Sequence, residues 1–155
     1  MELADILAER AVLTCTGVKT KSQLFEQLAQ RAADLTGRSG TELLEAIDLR
    51  EELGSTGLGN GIAIPHGKVA GLSRVCAVFA KLDEPIEFDA LDDLPVDIVM
   101  LLLAPTGSGA DHLKALSRVA RVLRNETVVD ELRQLHSAGE IYSVLTAPVA
   151  STYAA

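Results

Sequence analysis

Thr20 opens the clearest pattern in the chain: Gln23 follows at the spacing of a capping box, and Leu24, Phe25, Leu28 and Leu35 recur at helical intervals until Gly37. This predicts an amphipathic helix with one face in the core. Ser39 and Glu42 repeat the box ahead of Leu43, Leu44 and Ile47, so a second helix is predicted to run to about Glu52. Val75 to Leu82 is rich in β-branched and apolar residues, and Val96 to Ala104 is a near-continuous apolar run between Pro95 and Pro105, as in a strand buried on both faces. A third long helix is predicted after Gly109, with Leu113, Leu116, Ala120 and Leu123 as its apolar face and Lys114, Arg118 and Arg121 on another. Its first turn carries Asp111 and His112. Asn125 is placed to cap a fourth helix holding Val128, Leu132 and Leu135, which Gly139 is expected to end, and Glu140 to Leu145 gives one more short helix. Helices alternating with two or three strands predict an α/β or mixed α+β fold, a sheet covered by helices on both sides.

The length of 155 residues fits one domain, and 48% hydrophobic with 23% charged residues is a globular composition. Fourteen Lys and Arg against twenty-two Asp and Glu give a net charge of −8, which argues against nucleic acid and anionic membrane surfaces as partners. The opening MELADILAER has acidic residues where a signal peptide needs basic ones, and the longest apolar run, Ile98 to Ala104, is far short of the roughly twenty residues that span a bilayer. A soluble, cytoplasmic protein is expected. Cys15 and Cys76 have no neighbouring Cys or His at metal-ligand spacing and read as small buried side chains in a reducing compartment. No such spacing joins the three histidines, so neither a metal nor a cofactor is expected. The closing APVASTYAA carries no pattern and is expected to be loose.

The most unusual segment is GSTGLGNGIAIPHG, where five of the twelve glycines (54, 57, 59, 61 and 67) fall within fourteen residues. It has neither the GK[ST] ending of a P-loop nor the G-x-G-x-x-G spacing of a dinucleotide fold, and no G-x-S-x-G elbow occurs in the chain. His66 remains, between Pro65, which fixes the approach of the chain, and Gly67, which allows a tight turn. An imidazole held there can accept a phosphoryl group when its other nitrogen donates to a carbonyl, or it can simply hydrogen-bond its neighbours as a turn histidine. A phosphohistidine would carry a charge of about −1.5 to −2, which calls for positive groups nearby. Arg50 is the natural candidate through its bidentate fork, the alternative being a surface pair with Glu51. His112, in the first turn of a helix, is either a further donor to the phosphate or a core-edge histidine. Ser55, Thr56, Gly57, Gly59, Asn60, Gly61 and Gly67 form the expected phosphate loop, with the amides of Gly57 to Gly61 as a possible anion nest. His136 reads as structural or solvent-facing. The stripe Lys114, Arg118 and Arg121 either faces an acidic partner or is a solvated face.

The stretch from Arg50 to Lys68, REELGSTGLGNGIAIPHGK, closely resembles the active-site signature of the enzyme IIA proteins of the fructose/mannitol type in the bacterial phosphoenolpyruvate-dependent phosphotransferase system. The likeness extends with lower stringency over about residues 3 to 146, including Pro85-Ile86-Glu87-Phe88 and the pair His112-Leu113. It implies a single enzyme IIA domain over residues 1–148, with a tail at 149–155, and a mixed sheet with helices on both faces. It further implies that His66 accepts the phosphoryl group, that Arg50 and His112 flank it, and that the donor is a small histidine phosphocarrier protein. Two branches share this chemistry: sugar-specific proteins that pass phosphate to an enzyme IIB, and a nitrogen-type branch whose phosphorylation state controls target proteins. The short chain, with no fused IIB or membrane domain, and the wording GSTG-x-GNGIAIPHGK resemble the nitrogen-type branch more. A non-covalent anion-binding module is the alternative outside the family.

Overall fold

The computed structural model describes residues 1–147, so the tail expected at 149–155 lies outside the described residues. Two 3-10 turns, Leu3–Asp5 and Glu9–Ala11, lead into strand β1 (Val12–Cys15), which precedes helices α1 (Lys21–Thr36) and α2 (Gly40–Glu52). Both helices start where the local signals put them. Thr20 Oγ1 accepts from the Gln23 amide at 3.1 Å and Ser39 Oγ from the Glu42 amide at 3.4 Å, while Gly37 closes α1 with a φ of 75°. The glutamine of the first box reaches one residue further back than the motif implies, accepting from the Lys19 amide at 2.7 Å.

The glycine-rich stretch is not an open loop. It folds as three short strands, β2 (Gly57–Gly59), β3 (Ile62–Ala63) and β4 (His66–Val69), ahead of the long β5 (Cys76–Ile86) and β6 (Val96–Pro105). The sheet therefore has six strands where the sequence pattern showed two or three. It is mixed: β1 runs parallel to β5, β5 antiparallel to β6, and both β3 and β4 lie parallel to β6 along the same edge, with β2 antiparallel to β3. Strands β3 and β4 thus behave as one strand interrupted at Ile64-Pro65, where proline removes a ladder donor. Residues 98 to 104 of β6 are buried throughout, which is why their sequence is an unbroken apolar run.

Helices cover both faces: α1 and α2 pack on each other and on β5 and β4, while α3 (Gly109–Leu123), α4 (Glu126–Gln134) and α5 (Ala138–Leu145) form a second group over β6 and β1. On α3 the buried row is Ala115, Val119 and Leu123, and the predicted core residue Leu113 is 69% exposed. Gly139 does not end α4. That helix stops at Gln134, and Ser137 caps α5 by accepting from the Glu140 amide at 3.1 Å, so Gly139 lies in the first turn of α5. Cys15 is buried and Cys76 half-buried, both as free thiols. Burial pushes both thiols up from their ordinary range.

The contact that positions the site lies between α2 and β4. A Cβ built on Gly67 would stand 3.1 Å from the Ala46 carbonyl oxygen, a backbone atom that cannot rotate away. Gly67→Ala is therefore expected to force α2 off β4 and to lower stability by about 1–3 kcal/mol, read as a reduced midpoint in denaturant unfolding; an unchanged midpoint would mean that the helix can move aside freely.

Candidate functional site

His66 is the first residue of β4, and its ring is half-buried. Its Nδ1 lies 2.9 Å from the carbonyl oxygen of Ile64, two residues back across Pro65, so Nδ1 carries the hydrogen and donates it. The lone pair is then on Nε2. Arg50, in the last turn of α2, donates Nε–H to that nitrogen at 3.2 Å and Nη1–H to the Gly54 carbonyl at 2.9 Å. The rings of His66 and His112 meet edge to face, with centroids 5.6 Å apart and planes at 71°. His112 Nε2 is buried and has no hydrogen-bond partner among the described residues. The structure thus brings His66, Arg50 and His112 into one cluster from β4, α2 and α3.

Burial is the main reason that both imidazoles hold protons less readily than a free histidine. For His66 the Arg50 guanidinium pushes further in the same direction, against the Ile64 carbonyl and Glu51; for His112 the other ring and Lys68 add to burial. The neutral form of both rings is thereby favoured at pH 7, with the lone pair of His66 on Nε2.

Glu51 does not pair with Arg50. Consecutive helix residues point about 100° apart, and Glu51 instead turns inward, accepting from Thr56 Oγ1 at 2.6 Å and the Thr56 amide at 3.0 Å and pairing with Lys21 Nζ at 2.7 Å. Lys21 Nζ also lies 4.3 Å from the Phe88 ring centroid and donates to the Phe88 carbonyl. Ser55 Oγ donates to that same carbonyl at 3.2 Å and accepts from the Gly57 amide at 3.1 Å. Ser55 and Thr56 thus brace the segment after α2. Lys21 and Glu51 were missed as supports because thirty positions of sequence separate them; the only local sign was the acid adjoining Arg50.

The anion nest is a correction. Asn60 and Gly61 form the tight turn of the β2–β3 hairpin, with φ of 58° and 82°, and the Asn60 amide donates to Asp92 Oδ2 at 2.9 Å. Asp92 is held below the usual carboxylate range by the Asn60 and Leu94 amides. The Gly61 carbonyl accepts from the Asp97 and Ile98 amides. In the β6 register, Ile62 pairs with Ile98 and His66 with Leu102, roughly 13 Å further along the strand. Gly59, Asn60 and Gly61 are therefore not at the imidazole, and a carboxylate already holds the Asn60 amide. Gly57 and Gly67 are packing residues: a Cβ on Gly57 would meet the Ala90 Cβ at 2.7 Å. The Asn-Gly dipeptide was the sequence signal for this hairpin. His136 is exposed. Among the described residues no His, Cys, Asp or Glu group is arranged to hold a metal ion, and no helix is long and apolar enough to cross a membrane.

Residues 5–147 match the family model described as "Phosphoenolpyruvate-dependent sugar phosphotransferase system, EIIA 2". The chain belongs to this EIIA-2 family. Within it, the chain is 47% identical over 151 residues to the "Nitrogen regulatory protein" of Bradyrhizobium diazoefficiens, covering 97% of this chain and 99% of that relative. The crystal structure of nitrogen regulatory protein IIA-Ntr from Neisseria meningitidis superposes with a TM-score of 0.87 at 34% identity, covering 93% of this EIIA chain and 99% of that one. A "PTS system fructose-specific EIIA component" from Haloferax volcanii is 38% identical over 128 residues, covering 81% of this chain and 82% of that relative. These findings bear out the nitrogen-type reading over the sugar-specific one, and the chain is a phosphotransfer component of the nitrogen-type system.

In this EIIA protein the proton affinity of the two rings is measurable directly. NMR titration is expected to give midpoints for His66 and His112 below the ~6.5 of a free imidazole, and Arg50→Ala is expected to raise that of His66. The unfolded chain binds these protons more readily than the folded one, so the linked stability is lost as pH falls from about 6.5 through the folded midpoints. Midpoints at or above the free value would refute the neutral-ring assignment.

Proposed function

We propose that His66 accepts a phosphoryl group on Nε2 from the phosphohistidine of a small histidine phosphocarrier protein, and that target proteins read the resulting phosphorylation state. The observation that carries this is the hydrogen bond from Nδ1 to the Ile64 carbonyl, which leaves Nε2 as the one nitrogen with a lone pair and turns it toward Arg50. The Nε2 lone pair attacks phosphorus in line, the P–N bond to the carrier breaks, and its electron pair returns to the carrier imidazole. The proton stays on Nδ1 throughout, so transfer in either direction needs no general base. Arg50 then exchanges its contact with Nε2 for the phosphoryl oxygens, and the unpartnered His112 Nε2 supplies a second donor when that nitrogen carries the hydrogen. Positioning and charge stabilisation are most of what such a transfer asks of a protein.

The regulatory role rests on the relatives, which carry the name nitrogen regulatory protein, and it makes the products of this exchange a pair of surface states differing by about two charges. The donor is then the phosphocarrier and the recipients are regulatory targets or an enzyme IIB, all meeting this protein in the cytoplasm. Incubation with phosphoenolpyruvate, enzyme I and the phosphocarrier of the same organism is expected to place one acid-labile phosphate on His66, absent in His66→Ala, with the P–N bond at Nε2 by NMR. Arg50→Ala is expected to slow transfer about a hundredfold, and His112→Ala to slow it while leaving His66 as the acceptor. A wild type left unmodified by competent carriers would overturn the proposal in favour of a non-covalent anion-binding module.

A further inference from the structure

Phe88 closes the Pro85-Ile86-Glu87-Phe88 segment, and its carbonyl oxygen is a meeting point for three parts of the chain. The ring is fully buried and packs edge-on against Phe25 of α1, with centroids 5.9 Å apart. The oxygen accepts from Lys21 Nζ, at the start of α1, and from Ser55 Oγ, each at 3.2 Å. Lys21 also pairs at 2.7 Å with Glu51, whose side chain is only 8% exposed. Glu51 in turn grips the chain beyond α2 twice. Its carboxylate accepts from the Thr56 hydroxyl and amide at 2.6 and 3.0 Å, and its backbone carbonyl accepts from the Gly54 amide at 3.1 Å. Between these two grips lies the Gly54 carbonyl, the acceptor of Arg50 Nη1 at 2.9 Å.

The rest of the guanidinium is thereby aimed. Nη1 lies on the Cδ side of the group, whereas Nε–H and one Nη2–H point the same way, as a fork that fits two oxygens. With Nη1 held at Gly54 and Nε–H on His66 Nε2, that fork faces the imidazole. Arg50 stands in the last turn of α2 on a long side chain with several rotatable bonds. The tether at Nη1 removes much of that freedom before a phosphoryl group arrives, so less ordering remains for the transfer itself.

Resting on the carrier reading above, we infer that Lys21, Glu51 and Thr56 are positioning residues for the transfer: with the Phe88 carbonyl they fix the Gly54 carbonyl, which holds the Arg50 fork ready for the phosphoryl oxygens at His66 Nε2. They act through Arg50 and not on the phosphoryl group. Lys21 has its own part in this, since a carboxylate as buried as Glu51 needs a paired cation to remain charged.

The test measures kcat and KM for transfer from the phosphorylated phosphocarrier of the same organism, crossing Thr56→Val, Thr56→Ser and Glu51→Gln with Arg50→Ala, each variant first shown to be folded by circular dichroism. Thr56→Val is expected to lower kcat about tenfold and to change KM by less than about twofold. Thr56→Ser keeps the hydroxyl and is expected to keep most of the kcat, and Glu51→Gln to fall at least as far as Thr56→Val. In the Arg50→Ala background Thr56→Val is expected to have little further effect, because the residue through which it acts is gone. The NMR midpoint of His66 is a second readout. Arg50 holds it down, so Thr56→Val is expected to raise it toward the Arg50→Ala value while Thr56→Ser leaves it in place. Full kcat in both Thr56→Val and Glu51→Gln, or an equal fall in the Arg50→Ala background, would overturn the positioning inference while leaving the carrier reading intact. If Glu51→Gln does not fold, Thr56→Val, close to threonine in shape, decides alone. A wild type that takes no phosphate would overturn the carrier reading and the kinetic role with it; the tether on Arg50 would then be judged by the His66 midpoint, and a Thr56→Val midpoint equal to wild type would overturn that as well.

Discussion

Helix α2 runs so close to β4 that a methyl group at position 67 would press on the Ala46 backbone, and much of the site's geometry follows from that approach. Ala46 meets Gly67 through its carbonyl, and one helical turn later Arg50 meets His66, the residue before Gly67 in the strand. Strand spacing and helix rise therefore bring the Arg50 guanidinium within hydrogen-bond reach of the imidazole. The same approach buries part of the imidazole, and burial is the largest influence on its proton affinity.

Electrostatics around that contact separate two tasks. Glu51 turns into the body of the protein, where Lys21 and Thr56 satisfy it and brace the chain leading out of α2. Arg50 is thereby left with a neutral ring and a backbone carbonyl as partners, and a guanidinium paired only with neutral acceptors keeps its full charge for an incoming anion. Had the acid faced outward, it would have competed with phosphate for the same donors.

The helices were legible because their boundaries are local: Thr20, Ser39 and Asn125 each hold amides within three residues, and Gly37 takes the left-handed turn that ends α1. Strands β5 and β6 were legible from their apolar runs, but β1 to β4 are too short to show a period, and the middle of this region reads as a loop until β6 pairs with it. His66 and Arg50 stood out because few residue types can hold a phosphoryl group, and the structure brings them together with His112. The glycines misled for the opposite reason. Their sequence density suggested a ligand cradle, whereas Gly57 and Gly67 admit neighbouring chain and Gly61 turns a hairpin. On α3, an i, i+3, i+4 template fits more than one row, and only the sheet decides that Ala115 faces inward and Leu113 outward.

That hairpin has a further consequence. With Asn60 clamped by Asp92, Gly61 laddered to β6 and Ser55 and Thr56 fastened to neighbouring elements, the most glycine-rich part of the molecule has few loose joints. Under the proposed chemistry, a phosphoryl group on His66 would change the field above this braced segment more than its outline. A partner reading that proposed change would distinguish sign rather than shape, and ionic strength would set the distance over which it does so.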